Sequence, residues 1–93
     1  VKLVQDIIEG GEPDIAEAVK IALRRTDPTH LSSLAAFCAR HDLARPMVSA
    51  MLHGRVLPSA PLIAALIREL GGTHQEWMDL LWNDRKVIVK VAE

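Results

Sequence analysis

Aromatic side chains are scarce in this chain: two tryptophans, one phenylalanine and no tyrosine occur among 93 residues. Hydrophobic residues still make up 49% of it, so a core has to be filled by Leu, Ile, Val, Ala and Met. Leu and Ala favour helices, and the β-branched alternation of a sheet is missing until the last few residues, which points to an all-α protein. Cysteine is limited to Cys38. A single thiol excludes an internal disulfide and accords with a reducing compartment, so a cytoplasmic location is expected. No apolar run reaches the roughly eighteen residues of a membrane span, and no membrane association is expected. The opening residues carry acids and lack a basic flank, unlike a secretory signal. A start at Val1 is what a piece of a longer protein would have.

Catalytic and metal signatures are missing as well. His30, His41, His53 and His74 show neither i, i+4 spacing nor a Cys/His cluster, so no metal site is expected. No nucleophile, base and acid can be assembled, and no carboxylate pair stands at catalytic spacing. Gly10-Gly11 and Gly71-Gly72 read as helix ends, not as a phosphate-cradling loop. The expectation is a protein that is not an enzyme and uses no cofactor. The length suffices for one core and not two, and neither repeats nor a linker divide residues 1–93, which are expected to form a single domain.

What the sequence does contain is helical periodicity with clear punctuation. Val1, Leu3, Val4, Ile7 and Ile8 give residues 1–11 a short amphipathic helix stopped by Gly10-Gly11. These residues are too apolar to stay solvated, and they predict either packing on the bundle or a dimer contact. Pro13 is expected to open a second helix with a stripe of Ile15, Val19, Ala22 and Leu23. Glu12 and Asp14 lie near its positive end, Arg24 and Arg25 near its negative end. Thr29 is the expected cap of a third helix. Residues 34–53, LAAFCARHDLARPMVSAMLH, then read as two short helices meeting at a sharp corner. Leu34, Phe37, Cys38 and His41 recur at helical spacing before it, and Val48, Met51 and Leu52 after it. Ala35, Cys38 and Ala39 are small enough for close approach, Leu43 can plug the gap below the turn, and Pro46 presets the new helix near Arg45. This is the outline of a helix-turn-helix.

Downstream, Gly54 caps the second of these helices, and Ser59 or Ala60 caps the next, with Pro61 at its first position. Leu62, Ile63, Leu66, Ile67 and Leu70 give that helix a wide apolar face, so it is expected to be central to the core. Thr73 followed by Glu76 is a capping box for a last helix carrying Trp77, Leu80, Leu81 and Asp84, with Trp82 on another face. Trp77 and Trp82 are expected as core and cover. The first part of the tail, residues 86–91, reads as a continuation of this helix, although β-branched residues alternate with charge there as in an edge strand.

Charge is unevenly spread around a net value of −1. Residues 1–17 hold one lysine against five acids, whereas residues 18–56 hold six basic residues against two acids. A basic middle around the corner is the footprint expected of a DNA reader. With four to six cations in reach, duplex affinity should fall with salt at a log–log slope of about −3 to −5.

The stretch Val48-Ser49-Ala50-Met51-Leu52-His53-Gly54-Arg55-Val56-Leu57-Pro58-Ser59 is similar to an apolar-Ser-x-x-x-x-Gly-basic-x-x-Pro-Ser pattern. With it, residues 14–85 resemble the phage-repressor-like helix-turn-helix family, the lambda repressor and Cro type also called Xre. The Gly-Gly end of the Leu62–Gly72 helix and the Trp-rich helix after it look like the variant common in actinobacterial regulators. The resemblance implies a five- or six-helix, lambda-repressor-like bundle and sequence-specific binding of double-stranded DNA by a transcriptional regulator, with the recognition helix in the major groove. It implies base reading by Arg45, Ser49 and His53, and backbone contacts by Arg40 and Arg55, with His53 able to serve there too. Arg45 either grips guanine O6 and N7 or anchors a phosphate. Leu34 stands where the family often has a phosphate-holding Gln, Asp42 where glycine is usual, His41 where Leu is common, and Pro46 and Ala50 where base-reading side chains are frequent. Those departures motivate an alternative, a protein–protein interaction module that kept the bundle and lost DNA. An antitoxin of a toxin–antitoxin pair is a further relative of the same fold. A homodimer, or a protein partner held by the N-terminal helix or the C-terminal tail, is compatible with either reading.

Overall fold

The computed structural model describes residues 2–11, 14–26 and 33–83. Pro13, the cap expected at Thr29, the tail 86–91 and Asp84 lie outside these residues. Within them every element is helical: α1 (Lys2–Glu9), α2 (Ile15–Thr26), α3 (Ser33–Arg40), α4 (Arg45–Leu52), α5 (Ala60–Leu70) and α6 (His74–Met78), the last opening into a π-helical turn over Asp79–Asn83. Their buried side chains join one apolar cluster. Among the described residues no helix is long and apolar enough to cross a membrane.

The N-terminal helix packs on the bundle. Val4 and Ile7 of α1 are buried and Leu3 and Ile8 are half-buried, with α2 as the main neighbour. Its apolar side is thereby used within the chain. Gly10 and Gly11 close α1 by donating their amides to Asp6 and Ile8, and Gly11 does so at φ +118°, where a side chain would be strained.

At the start of α2, Asp14 lies near the positive end as expected. It stands just before the helix, and its Oδ1 accepts the Ala16 amide at 2.9 Å, so it acts as the cap. The buried face is wider than the expected stripe: Ala16 and Ala18 join Val19, Ala22 and Leu23, while Ile15 is only half-buried. The reason lies in the packing, since α2 touches α1, α3, α4 and α5. Alanine gives up no rotamer freedom on burial and lets several backbones approach one helix. α2 is thus the helix with the most neighbours, beside an α5 that is central to the core as its wide apolar face predicts. α5 buries Leu62, Ile63, Ala65 and Leu66, and its main neighbours are α2 and α6.

Caps fix the second half. Ser59 Oγ accepts the Leu62 amide at 3.4 Å, making Ser59 and not Ala60 the cap and placing Pro61 second in α5. Thr73 Oγ1 accepts the Glu76 amide at 3.2 Å at the start of α6. Trp77 is fully buried, and its Nε1–H donates to the Gly71 carbonyl at 2.8 Å, so the indole loses no hydrogen bond on burial and joins α6 to the end of α5. Beyond Met78 the regular helix gives way to the wider turn. Asp79 accepts amide hydrogens from Gln75 and Asn83 at 2.8 and 2.9 Å, Leu81 is buried, and Trp82 is half-buried as cover.

Candidate nucleic-acid interface

The corner between α3 and α4 is built from the residues that interrupt the helical spacing. At the end of α3 the Leu43 amide donates to Cys38 O at 2.9 Å and the Asp42 amide to Ala39 O at 3.4 Å, with Asp42 at φ +54°. Aspartate tolerates this left-handed conformation better than most residues, and it replaces the more usual glycine here. Leu43 is half-buried against the core beneath the turn. Leu34, Phe37 and Cys38 are buried on the inner side of α3, and Ala35 is half-buried. Ala39, expected on that inner side, is exposed because the helix turns it away. Arg45 begins α4, Pro46 is second, and Ala44 precedes them without a side-chain cap.

The inner side of α4 is Val48, Met51 and Leu52, all buried. Arg45, Pro46, Met47 and His53 are exposed, and Ser49 and Ala50 are half-buried. Arg45, Ser49 and His53 follow one another at i, i+4 spacing and so share one side of the helix. Past its end the Gly54 amide donates to Met51 O and the Arg55 amide to Ala50 O, at 3.2 and 2.9 Å. The loop is then pinned inward by buried Pro58 and by the Ser59 amide on Met51 Sδ at 3.2 Å. That leaves Arg55, Val56 and Leu57 facing solvent. Met47, Val56 and Leu57 are 53%, 38% and 57% exposed, an unusual outlay of apolar side chains beside one short helix.

Two of the expected site residues carry further contacts. His53 folds back along α4, with Nδ1 2.8 Å from the Ser49 carbonyl. A carbonyl only accepts, so Nδ1 carries the hydrogen; in the neutral ring Nε2 is then an acceptor. Arg40 stands apart from the α4 group. Its Nε and Nη2 both lie 3.0 Å from Glu69 Oε1, and His41 Nε2 reaches the same oxygen at 3.0 Å. His41 also sits on Phe37, with ring centroids 5.0 Å apart. Burial pushes the Glu69 carboxyl up, but the hydrogen bonds and charges of His41 and Arg40 outweigh it and hold the group below the ordinary glutamate value. Lys20 is likewise engaged, with Glu17 at 3.1 Å. Arg45 and Arg55 make no ion pair among the described residues.

Cys38 is buried, which pushes its thiol up despite the opposing charge of Arg45. It is a packing group and not an activated nucleophile. Among the described residues no cluster of His, Cys, Asp and Glu could hold a metal ion. Glu69 is the one residue of this region that sequence reasoning overlooked. Its signal was present, because Glu69 follows Leu66 by three positions and falls on the apolar stripe of α5. A carboxylate on a buried stripe needs a partner. In comparisons with known proteins, no family model matches the chain, and no curated protein or solved structure is significantly similar to it.

Proposed function

We propose that this chain is a sequence-specific DNA-binding domain of a transcriptional regulator, a helix-turn-helix whose α4 enters the major groove. The observation that carries the proposal is the left-handed Asp42 between α3 and α4. It turns the chain sharply enough for Val48, Met51 and Leu52 to stay in the core while Arg45 and His53 remain exposed, with half-buried Ser49 between them on the same side. In the groove, Arg45 would take guanine O6 and N7 with its two-pronged guanidinium. Neutral His53 would offer Nε2 to the amino group of adenine or cytosine. Ser49 would reach a base edge or phosphate, Ala50 a thymine methyl, and Arg55 a phosphate just past the helix. Two copies on a two-fold site would be the usual arrangement.

Titration of a labelled duplex library at several salt concentrations tests this. Lys20 and Arg40 are already paired with carboxylates, so fewer cations are available than the basic count of the middle segment. The expected log–log slope is about −2 to −4, from two to four neutralised phosphates. A second reading, a protein–protein interaction module, is favoured by one observation, the exposure of Met47, Val56 and Leu57. Such side chains gain from an apolar partner and little from phosphate. Absence of duplex binding even at low salt would decide for that reading.

A further inference from the structure

We propose that Glu69 is a latch that fixes the α3–α4 corner to the last turn of α5, so that Arg40 and His41 position α4 and do not themselves meet a ligand. The main neighbours of α3 are α2 and α4, and those of α5 are α2 and α6. Glu69 therefore joins two helix ends whose main packing is on other helices. A single oxygen, Oε1, receives Arg40 Nε, Arg40 Nη2 and His41 Nε2, each at 3.0 Å. Both donors stand immediately before Asp42, the residue held at φ +54°. Aspartate tolerates that conformation better than most residues but not as freely as glycine, so a neighbouring constraint favours it. Charge-assisted bonds are the strong kind, and two of them with an added ion-pair contact on one half-buried carboxylate supply that constraint. The groups acting on Glu69 are Arg40, the last residue of α3, and His41 just past it; among the described residues none from α2 or α6 does so.

This rests on the DNA reading only for the step from corner to groove, and the test separates the two. Amide hydrogen exchange and duplex titration are run on the whole chain as wild type, Glu69→Gln, Arg40→Ala and Arg55→Ala. The latch predicts that Glu69→Gln and Arg40→Ala each lower the protection of the Leu43 amide about tenfold, as loss of a bond to a charged group does. The Trp77 indole hydrogen on Gly71 O reports the remaining fold and should stay protected. Arg55→Ala should leave Leu43 unchanged and flatten the salt slope by about one, whereas Arg40→Ala should weaken duplex binding without changing the slope. Acidification should loosen Leu43 more in the wild type, where Glu69 protonates, than in Glu69→Gln. Unchanged Leu43 protection in Glu69→Gln and Arg40→Ala overturns the latch. If Arg40→Ala also flattens the slope as Arg55→Ala does, Arg40 is a phosphate anchor. A wild-type chain that binds no duplex overturns the DNA reading alone, and Leu43 exchange still decides on the latch.

Discussion

α3 and α4 end with the same pair of backbone bonds, from the two residues past each helix to carbonyls in its last turn. The left-handed residue is Asp42 at the first end and Gly54 at the second, at φ +54° and +73°. Glycine takes this conformation without steric cost, and aspartate does not. The surroundings differ in the corresponding way. The Asp42 end is flanked by the Arg40–His41–Glu69 cluster, whereas the Gly54 end has His53 Nδ1–H on the Ser49 carbonyl, buried Pro58 and the Ser59 amide on Met51, with no ion pair among the described residues. The aspartate end is held by an ion-pair cluster reaching another helix, and the glycine end by local hydrogen bonds and packing. Both ends of α4 are thus fixed by contacts within the chain.

The largest disturbance should come from the support that both ends share. Leu52 is fully buried on the inner side of α4, and Leu52→Ala is expected to cost about 2–5 kcal/mol in denaturant unfolding. A cost below about 1 kcal/mol would mean that α4 is not seated on the core. Next comes the polar support of the Asp42 end alone. Glu69→Gln should cost about 1–2 kcal/mol near neutral pH, since it weakens bonds to charged partners. The carboxyl of Glu69 is held below its ordinary value in the folded chain. Its contribution is therefore complete above the unfolded value and is lost as pH falls through the folded one. Unfolding curves over the acid range should show a larger loss in the wild type than in Glu69→Gln.

The backbone substitutions should have opposite signs. Gly54→Ala places a side chain at φ +73° and should destabilise by about 1 kcal/mol. Asp42→Gly relieves the corner and should stabilise by about 0.5 kcal/mol, part of the gain being offset by the freer unfolded chain. Equal signs in thermal unfolding would mean that the two ends do not differ as described.

Much of the helix punctuation was legible because it is written in residues with one conformational use. Pro46 and Pro61 mark helix starts, Ser59 and Thr73 supply caps, and Gly54 turns left-handed. The grouping of Arg45, Ser49 and His53 came from the resemblance to the repressor-like pattern, and their i, i+4 spacing accords with it. That α2 has the most neighbours was not legible, since its packing surface is largely alanine, which weighs little in an apolar count although it permits the closest helix contacts. The widening of α6 at Asp79 has no comparable mark in the sequence. The link from Arg40 and His41 to Glu69 is a tertiary pairing, and the spacing of either helix by itself names no partner for it.

Selection from a random duplex pool, with the wild type and Arg45→Ala in parallel, tests most directly whether α4 reads DNA. The wild type should enrich a common site containing a guanine. Arg45→Ala should bind that site about 1–3 kcal/mol more weakly and lose discrimination mainly at the guanine. If neither protein enriches any sequence, and both bind all duplexes equally weakly or not at all, α4 is not a recognition helix.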